Sequence, residues 1–199
     1  MTQRLVVGIS GATGVIYGIR LLEVLQAVST IETHLVMTSA ARQTIALETD
    51  YDPRDVEALA GTTYRMNDIA AAISSGSFVT TGMVIIPCSM KTLSAVALSF
   101  TDNLLVRAAD VTLKEQRRLV LVTRETPLHL GHLRLMAQVA ELGGIIMPPV
   151  PAFYHRPHTL NDIINQTVNR VLDVLNIMLP DDLFQRWTGG HDCDRYSSS

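Results

Sequence analysis

Hydrophobic and polar positions along this chain alternate by segment rather than by residue. Short, continuously apolar, β-rich runs fall at residues 5–9, 33–37, 83–86, 119–122 and 144–147. Longer stretches with apolar positions three and four apart occupy 15–28, 40–49, 90–99, 104–114, 131–142 and 160–175. Strands that are apolar throughout are buried on both faces, and helices between them supply the crossovers that parallel strands need. The pattern predicts an α/β fold, a three-layer, doubly wound parallel sheet of about five strands, Rossmann- or flavodoxin-like. Asp52-Pro53 predicts a capped helix start with proline at the first helical position, running through Leu59. Residues 61–77 read as a long connection rich in hydroxyls and glycine, the kind of segment that often carries function.

Size and charge narrow the picture. A chain of 199 residues can bury about 70% of its unfolded surface in one core, so residues 1–190 are expected to form a single domain and 191–199 a disordered tail. Cys88 and Cys193 are the only cysteines, which suits a reducing compartment. No apolar run reaches the roughly 18 residues of a membrane span, and the expected location is the cytoplasm. A net charge of −3 argues against a dedicated nucleic-acid binder, because phosphate-backbone affinity needs a concentrated basic face. The dense basic cluster Lys114, Arg117 and Arg118 is explained by a helix C-terminus and its dipole. Hydrophobic residues make up 47% of the chain, a surplus that points to a homo-oligomer.

In an open α/β sheet, ligands bind beyond the carboxyl ends of the strands, and here those ends are polar. The first run opens into Gly8-Ile9-Ser10-Gly11-Ala12-Thr13-Gly14, where glycines admit close backbone approach, Ser10 and Thr13 offer hydroxyls, and a helix N-terminus follows. The G-x-x-G-x-x-G spacing matches neither the dinucleotide fingerprint nor the Walker sequence. The second run ends in Thr38-Ser39, where a dinucleotide site would place an acidic ribose ligand. A mononucleotide phosphate held by hydroxyls and amides fits better than NAD. The third run ends in Cys88-Ser89-Met90-Lys91-Thr92, the fourth in Thr123-Arg124-Glu125, and the fifth in a proline-rich turn leading to Tyr154. Arg124 offers an anion donor and Glu125 a proton-transfer carboxylate. Glu48-Thr49-Asp50 closes an otherwise apolar helix with charge that opposes its dipole, which hints at function. His129 and His132 have a spacing compatible with a metal pair, yet without a third ligand they read as structural or capping residues. His191 and Cys193 do not make a metal site either, and no metal is expected. Met136, Met147 and Met178 read as core.

Further segments complete a pattern: Leu47-Glu48-Thr49-Asp50, Ser74-Ser75-Gly76-Ser77, Pro87-Cys88-Ser89-Met90-Lys91-Thr92, Arg107-Ala108-Ala109-Asp110, Leu113-Lys114-Glu115, Arg124-Glu125-Thr126-Pro127 and Pro151-Ala152-Phe153-Tyr154. With the glycine-rich loop they resemble the UbiX-type flavin prenyltransferases, formerly described as aromatic acid decarboxylase small subunits, from about Leu5 to Trp187. The resemblance implies a homo-oligomeric flavoprotein, often a dodecamer, that joins a dimethylallyl group from dimethylallyl phosphate to N5 and C6 of reduced FMN. The product is prenylated FMN, the cofactor of a UbiD-type decarboxylase of ubiquinone biosynthesis or aromatic acid metabolism. By resemblance, Gly11, Ala12, Thr13, Thr38, Ser89, Met90, Lys91, Thr92 and Arg124 contact FMN. Arg107, Lys114, Tyr154 and Arg170 clamp the prenyl phosphate, and Glu48, Lys114 and Glu125 stand at the chemistry. Thr38-Ser39 stands where the family more often has a Ser-Lys pair, so a hydroxyl is kept and an ammonium lost. Lys114 and Arg107 fall within a helix rather than at a strand end, which implies that a neighbouring subunit supplies the clamp. Two other readings stay open on the residues. One is a flavin-dependent cysteine decarboxylase, whose third-strand turn differs from Pro87-Cys88-Ser89. The other is an FMN electron carrier, which would need no cationic clamp.

Overall fold

Strand β1 (Gln3–Ile9) lies at the centre of the sheet, with β2 (Ile31–Met37) on one side and β4 (Gly82–Cys88) on the other. In this computed structural model, which describes residues 2–189, all pairings are parallel and the strand order is β3-β2-β1-β4-β5-β6. The outer strands are β3 (Thr62–Tyr64), β5 (Arg118–Thr123) and β6 (Ile145–Ile146). Helices α1 (Val15–Gln26), α2 (Ser39–Glu48), α3 (Pro53–Ala58), α4 (Met90–Ala97), α5 (Leu104–Lys114), α6 (Leu130–Glu141) and α7 (Leu160–Val174) make the crossovers and cover the faces. The doubly wound architecture is the one that the segment pattern predicts.

The sheet has six strands, one more than predicted. The additional strand, β3, falls inside the 61–77 connection and pairs with β2 through His34 and Thr62. Its Thr-Thr-Tyr sequence is short and polar because it forms an edge and needs little burial. The same connection also contains a 3-10 turn at Ala72–Ser74.

Successive residues of the central strands enter opposite cores, which is why the strands are apolar throughout. Leu5, Val7 and Ile9 pack with Ile19 and Leu22 of α1 and Val171 and Leu172 of α7. Val6 packs with Met83, Ile85, Leu93 of α4 and Leu105 of α5 on the other face. Every residue of β4 is buried, and each large aliphatic side chain so buried contributes about 1.5–3 kcal/mol. Met136 and Met147 lie against these cores, as expected. Met178 does not. It is 77% exposed just beyond α7, so its place among the core residues is corrected.

Helix starts follow the caps in the sequence. Asp52 accepts from the Arg54 amide at 2.8 Å, ahead of Pro53. Asn103 caps α5, and Thr159 with Asp162 forms a capping box on α7. His129 Nδ1 accepts from the amides of Gly131 and His132, and its ring lies 3.6 Å from that of His132, which makes it a capping histidine.

A buried imidazole sits inside the sheet. His34 of β2 is 2% exposed, with Nδ1 3.0 Å from the Tyr64 hydroxyl and Nε2 3.4 Å from Glu32 Oε1. Phe78 meets its ring edge-on, and Arg4 lies over Phe78 while donating to Glu32. Burial holds the His34 pKa below the ordinary histidine value; Glu32 works against that lowering and Arg4 adds to it. The neutral imidazole is therefore the folded form. An unfolded chain takes up the proton near pH 6.5, so stability present above that pH is lost as pH falls toward the lower folded value. Thermal unfolding between pH 8 and 5 should show Tm falling with acidity. His34→Gln, which keeps a partner for Tyr64 but cannot titrate, should flatten that fall by a few degrees. Parallel curves would remove His34 as the source.

Candidate functional site

The strand order reverses between β1 and β4, and this switch point opens a crevice at their carboxyl ends. Ser10, at the end of β1, spans it. Its hydroxyl donates to the Pro87 carbonyl at 2.9 Å and accepts from the Ser89 amide at 2.8 Å, and the residue is fully buried. Rather than standing free toward a ligand, the Ser10 hydroxyl ties the end of β1 to the end of β4 and the head of α4.

Beside this bridge lies a cavity of about 700 Å³, within the range of small-molecule sites. Gly11, Thr38, Ser89, Lys91 and Thr92 of the sequence-derived flavin set all line it. Two helix starts converge there. Thr38 Oγ1 accepts from the Ala41 amide at 3.0 Å at the head of α2, and Ser89 Oγ accepts from the Thr92 amide at 3.3 Å at the head of α4. Both hydroxyls are caps that also face the cavity. A Cβ on Gly11 would stand 2.3 Å from the Ala40 Cβ, so only glycine lets the β1–α1 loop lie on the first turn of α2. The opposite wall is apolar, made by Met66, Ala95, Leu98, Phe100, Leu105 and Val106. A polar floor with donors at two helix heads and an apolar wall suit a flat heterocycle carrying a phosphate.

None of the other sequence-derived site residues lines this cavity. Ala12 and Thr13 continue the Gly11 loop but do not line it, and the Met90 side chain packs on the core. Gly14 adopts φ 91°, and its amide donates to Glu48 Oε2 at 2.8 Å. The acidic end of α2 therefore complements the positive start of α1, a helix with no side-chain cap of its own. This gives the charge at Glu48 a structural origin that the sequence does not reveal. Arg124 follows β5, its backbone N–H donating a hydrogen bond to the Cys88 carbonyl; burial raises the Tyr17 pKa, against the Thr167 hydrogen bond and the Arg124 charge, which lower it. The Glu125 carboxylate accepts from the Thr126 amide at 3.0 Å. Burial pushes the Cys88 thiol far up, so it is not a thiolate nucleophile.

The clamp residues do not gather at the cavity within one chain. Arg107 donates to the Ser74 carbonyl and to Asp110, and Lys114 pairs with Glu115 beside Gly76. Lys114 is eight residues along α5 from the cavity-lining Val106, roughly 12 Å of helix rise. Tyr154 is half exposed against Phe184 and Trp187, and Arg170 pairs with Asp173 at 2.7 Å. Among the described residues no group of three or more His, Cys, Asp or Glu could hold a metal ion; His191 and Cys193 lie outside them. Cavity residues absent from the sequence reading include Arg42, Arg65, Met66, Phe100 and Asn103. Arg65 and Met66 follow the unpredicted β3, and the other three lie in or beside helices, where sequence offers no strand-end signal.

Comparisons with known proteins converge on one family. The Flavoprotein family model matches residues 1–172. The flavin prenyltransferase UbiX of Escherichia coli K12 is 69% identical over 187 residues, covering 94% of this chain and 99% of that protein. UbiX of Thauera aromatica is 60% identical over 190 residues, 96% of each. The crystal structure of AnUbiX (PadA1) with FMN and dimethylallyl pyrophosphate superposes with a TM-score of 0.91 at 49% identity, covering 96% of this chain and all of that one. A dodecameric FMN-dependent UbiX-like decarboxylase from Escherichia coli O157:H7 gives 0.89 at 49% identity, over 94% and 100%. The cysteine decarboxylase SpaF, at 21% identity and a TM-score of 0.59 over 72% of this chain and 82% of that one, shares the fold alone. With a Rossmann-ordered sheet, a mononucleotide-sized cavity at its switch point and these identities, the chain belongs to the UbiX family of flavin prenyltransferases.

Proposed function

We propose that the protein joins a dimethylallyl group from dimethylallyl phosphate to reduced FMN, releasing phosphate and prenylated FMN. The observation that carries this reading is the switch-point cavity, whose floor joins two helix heads to Lys91 and whose wall is apolar. Reduced FMN, when bound, supplies N5 and C6 as the atoms that take the two ends of the prenyl unit as the carbon–oxygen bond to phosphate breaks. The alkene gains one proton while N5 and C6 each lose one, and the net proton leaves with the phosphate.

This chain's residues hold the reactants and move those protons. Gly11, Thr38, Ser89 and Thr92 present donors to the flavin, while Leu98, Phe100 and Leu105 exclude water from the reacting carbons. Ala12, Thr13, Met90 and Arg124 complete the flavin contacts. Glu125 is the proton-transfer group, and Glu48, fixed by the Gly14 amide, orients the first loop. Arg107, Lys114, Tyr154 and Arg170 stabilise the departing phosphate. Arg107 and Lys114 stand off this chain's own cavity, so they act at a neighbouring subunit's site in a homo-oligomer, a dodecamer as in the relative. Exposed Leu98, Phe100, Val150, Phe153 and Trp187 supply apolar surface for that assembly. No helix among the described residues is long and apolar enough to cross a membrane, and the enzyme would work in the cytoplasm, passing its product to a UbiD-type decarboxylase.

Anaerobic incubation with reduced FMN and dimethylallyl phosphate should yield a flavin heavier by one prenyl unit by mass spectrometry, and the extract should activate a cofactor-free UbiD-type decarboxylase. The protein alone should release no carbon dioxide from 4-hydroxybenzoate. Unmodified flavin accompanied by carbon dioxide would replace this reading with direct decarboxylation.

Glu125→Gln should leave FMN affinity near wild type and slow single-turnover prenylation by roughly 10²-fold, the scale of a lost acid–base group. Wild-type rates would reduce Glu125 to a structural role.

Arg170→Ala and Tyr154→Phe should raise KM for the allyl phosphate more than the Kd for FMN, because a guanidinium and a phenol both donate to phosphate oxygens. Equal losses for both ligands would contradict the clamp.

A further inference from the structure

Three cationic side chains line the switch-point cavity: Arg42, Arg65 and Lys91. Arg42 is committed to Glu57. The side chains of Arg65 and Lys91 have no hydrogen bond or ion pair among the described residues. Asp102, the only carboxylate among the described lining residues, accepts from the Asn103 side-chain amide at 2.6 Å. Arg65 is exposed at the carboxyl end of β3, and Lys91 lies in the first turn of α4. The two therefore approach the cavity from strands on different sides of β1.

Two unpartnered cations facing a cavity whose floor is two helix heads have an electrostatic need that a dianion would meet. Ser39, at the head of α2, carries no charge to meet it. An arginine adds to this a planar fork of donors matched to phosphate oxygens. The apolar wall of Met66, Leu98 and Phe100 offers the flavin ring no counter-charge, so charge recognition has to come from the phosphate end.

From this arrangement we infer that Arg65 is a specificity-determining residue which, together with Lys91, reads the 5′-phosphate of the flavin and selects FMN over riboflavin. The inference rests on the flavin-binding reading above and adds a residue to it. Arg65 acts on the ground-state complex and takes no part in prenyl transfer.

Binding of FMN and of riboflavin is measured by calorimetry for the full-length wild type, Arg65→Gln and Arg65→Lys. Arg65→Gln should raise the Kd for FMN about tenfold, the usual scale for a lost charge-assisted bond, and leave riboflavin unchanged. Its FMN affinity should also depend less steeply on salt. Arg65→Lys should recover most of the loss. An unchanged Kd for FMN in Arg65→Gln, or equal weakening of FMN and riboflavin, would overturn the inference while leaving the flavin reading intact. Wild-type protein that binds neither flavin would overturn both.

Discussion

The site depends on the hydroxyl of Ser10. At the point where strand order reverses, β1 and β4 diverge into two loops, and nothing in a parallel ladder holds those loops in register beyond the last strand pair. Ser10 supplies the link by donating to Pro87 and accepting from Ser89, with its own amide also donating to Pro87. Ser10 is fully buried, where an unmatched polar group would cost about 1–3 kcal/mol, so all three groups hold one another in place. It fixes the head of α4 relative to the Gly11 loop, and the Gly11 loop in turn rests on α2. The three sides of the cavity floor are thereby set by one side chain.

A second contact decides which helix heads remain for a ligand. The head of α1 follows the glycine-rich loop, and by position alone it is the natural anion site of a β-α unit. In the fold, the Glu48 carboxylate already accepts from the Gly14 amide there. An anion from outside would meet that carboxylate, whereas the heads of α2 and α4 carry neutral caps and face the cavity beside Lys91 and Arg65. Like-charge repulsion thus moves the preferred phosphate position away from the loop that advertises it.

The sequence made the layers legible because burial on both faces leaves continuous apolar runs, and Asp52 ahead of Pro53 marks a helix start because its side chain has a local hydrogen-bonding reason to be there, whereas the capping role of Asn103 went unread. What it concealed has physical causes. Strand β3 has three residues, and its pairing with His34 is specified by the partner strand rather than by its own pattern. Ser10 looks the same whether its hydroxyl serves a ligand or crosslinks two strands. Met178 is apolar but 77% exposed, since hydropathy reports what a residue prefers and not whether a neighbour covers it. Arg65 was invisible as a site residue because the strand that delivers it was.

The placement of the cations also accounts for the apolar surface. The cations of the cavity, Lys91 and Arg65, are local to one chain, whereas Lys114 is held beside Glu115 and Gly76, far along α5. A single chain therefore builds a flavin-sized pocket without assembling all the positive charge needed to stabilise a departing phosphate. Exposed Leu98 and Phe100 adjoin that pocket, and covering them removes apolar area from water at about 25 cal/mol per Å². The same association would bring another chain's α5 cations within reach and close the reacting carbons to solvent. Burial of apolar surface and completion of the site then become one event, and a free subunit with a half-formed, water-accessible site would release no reactive allyl fragment.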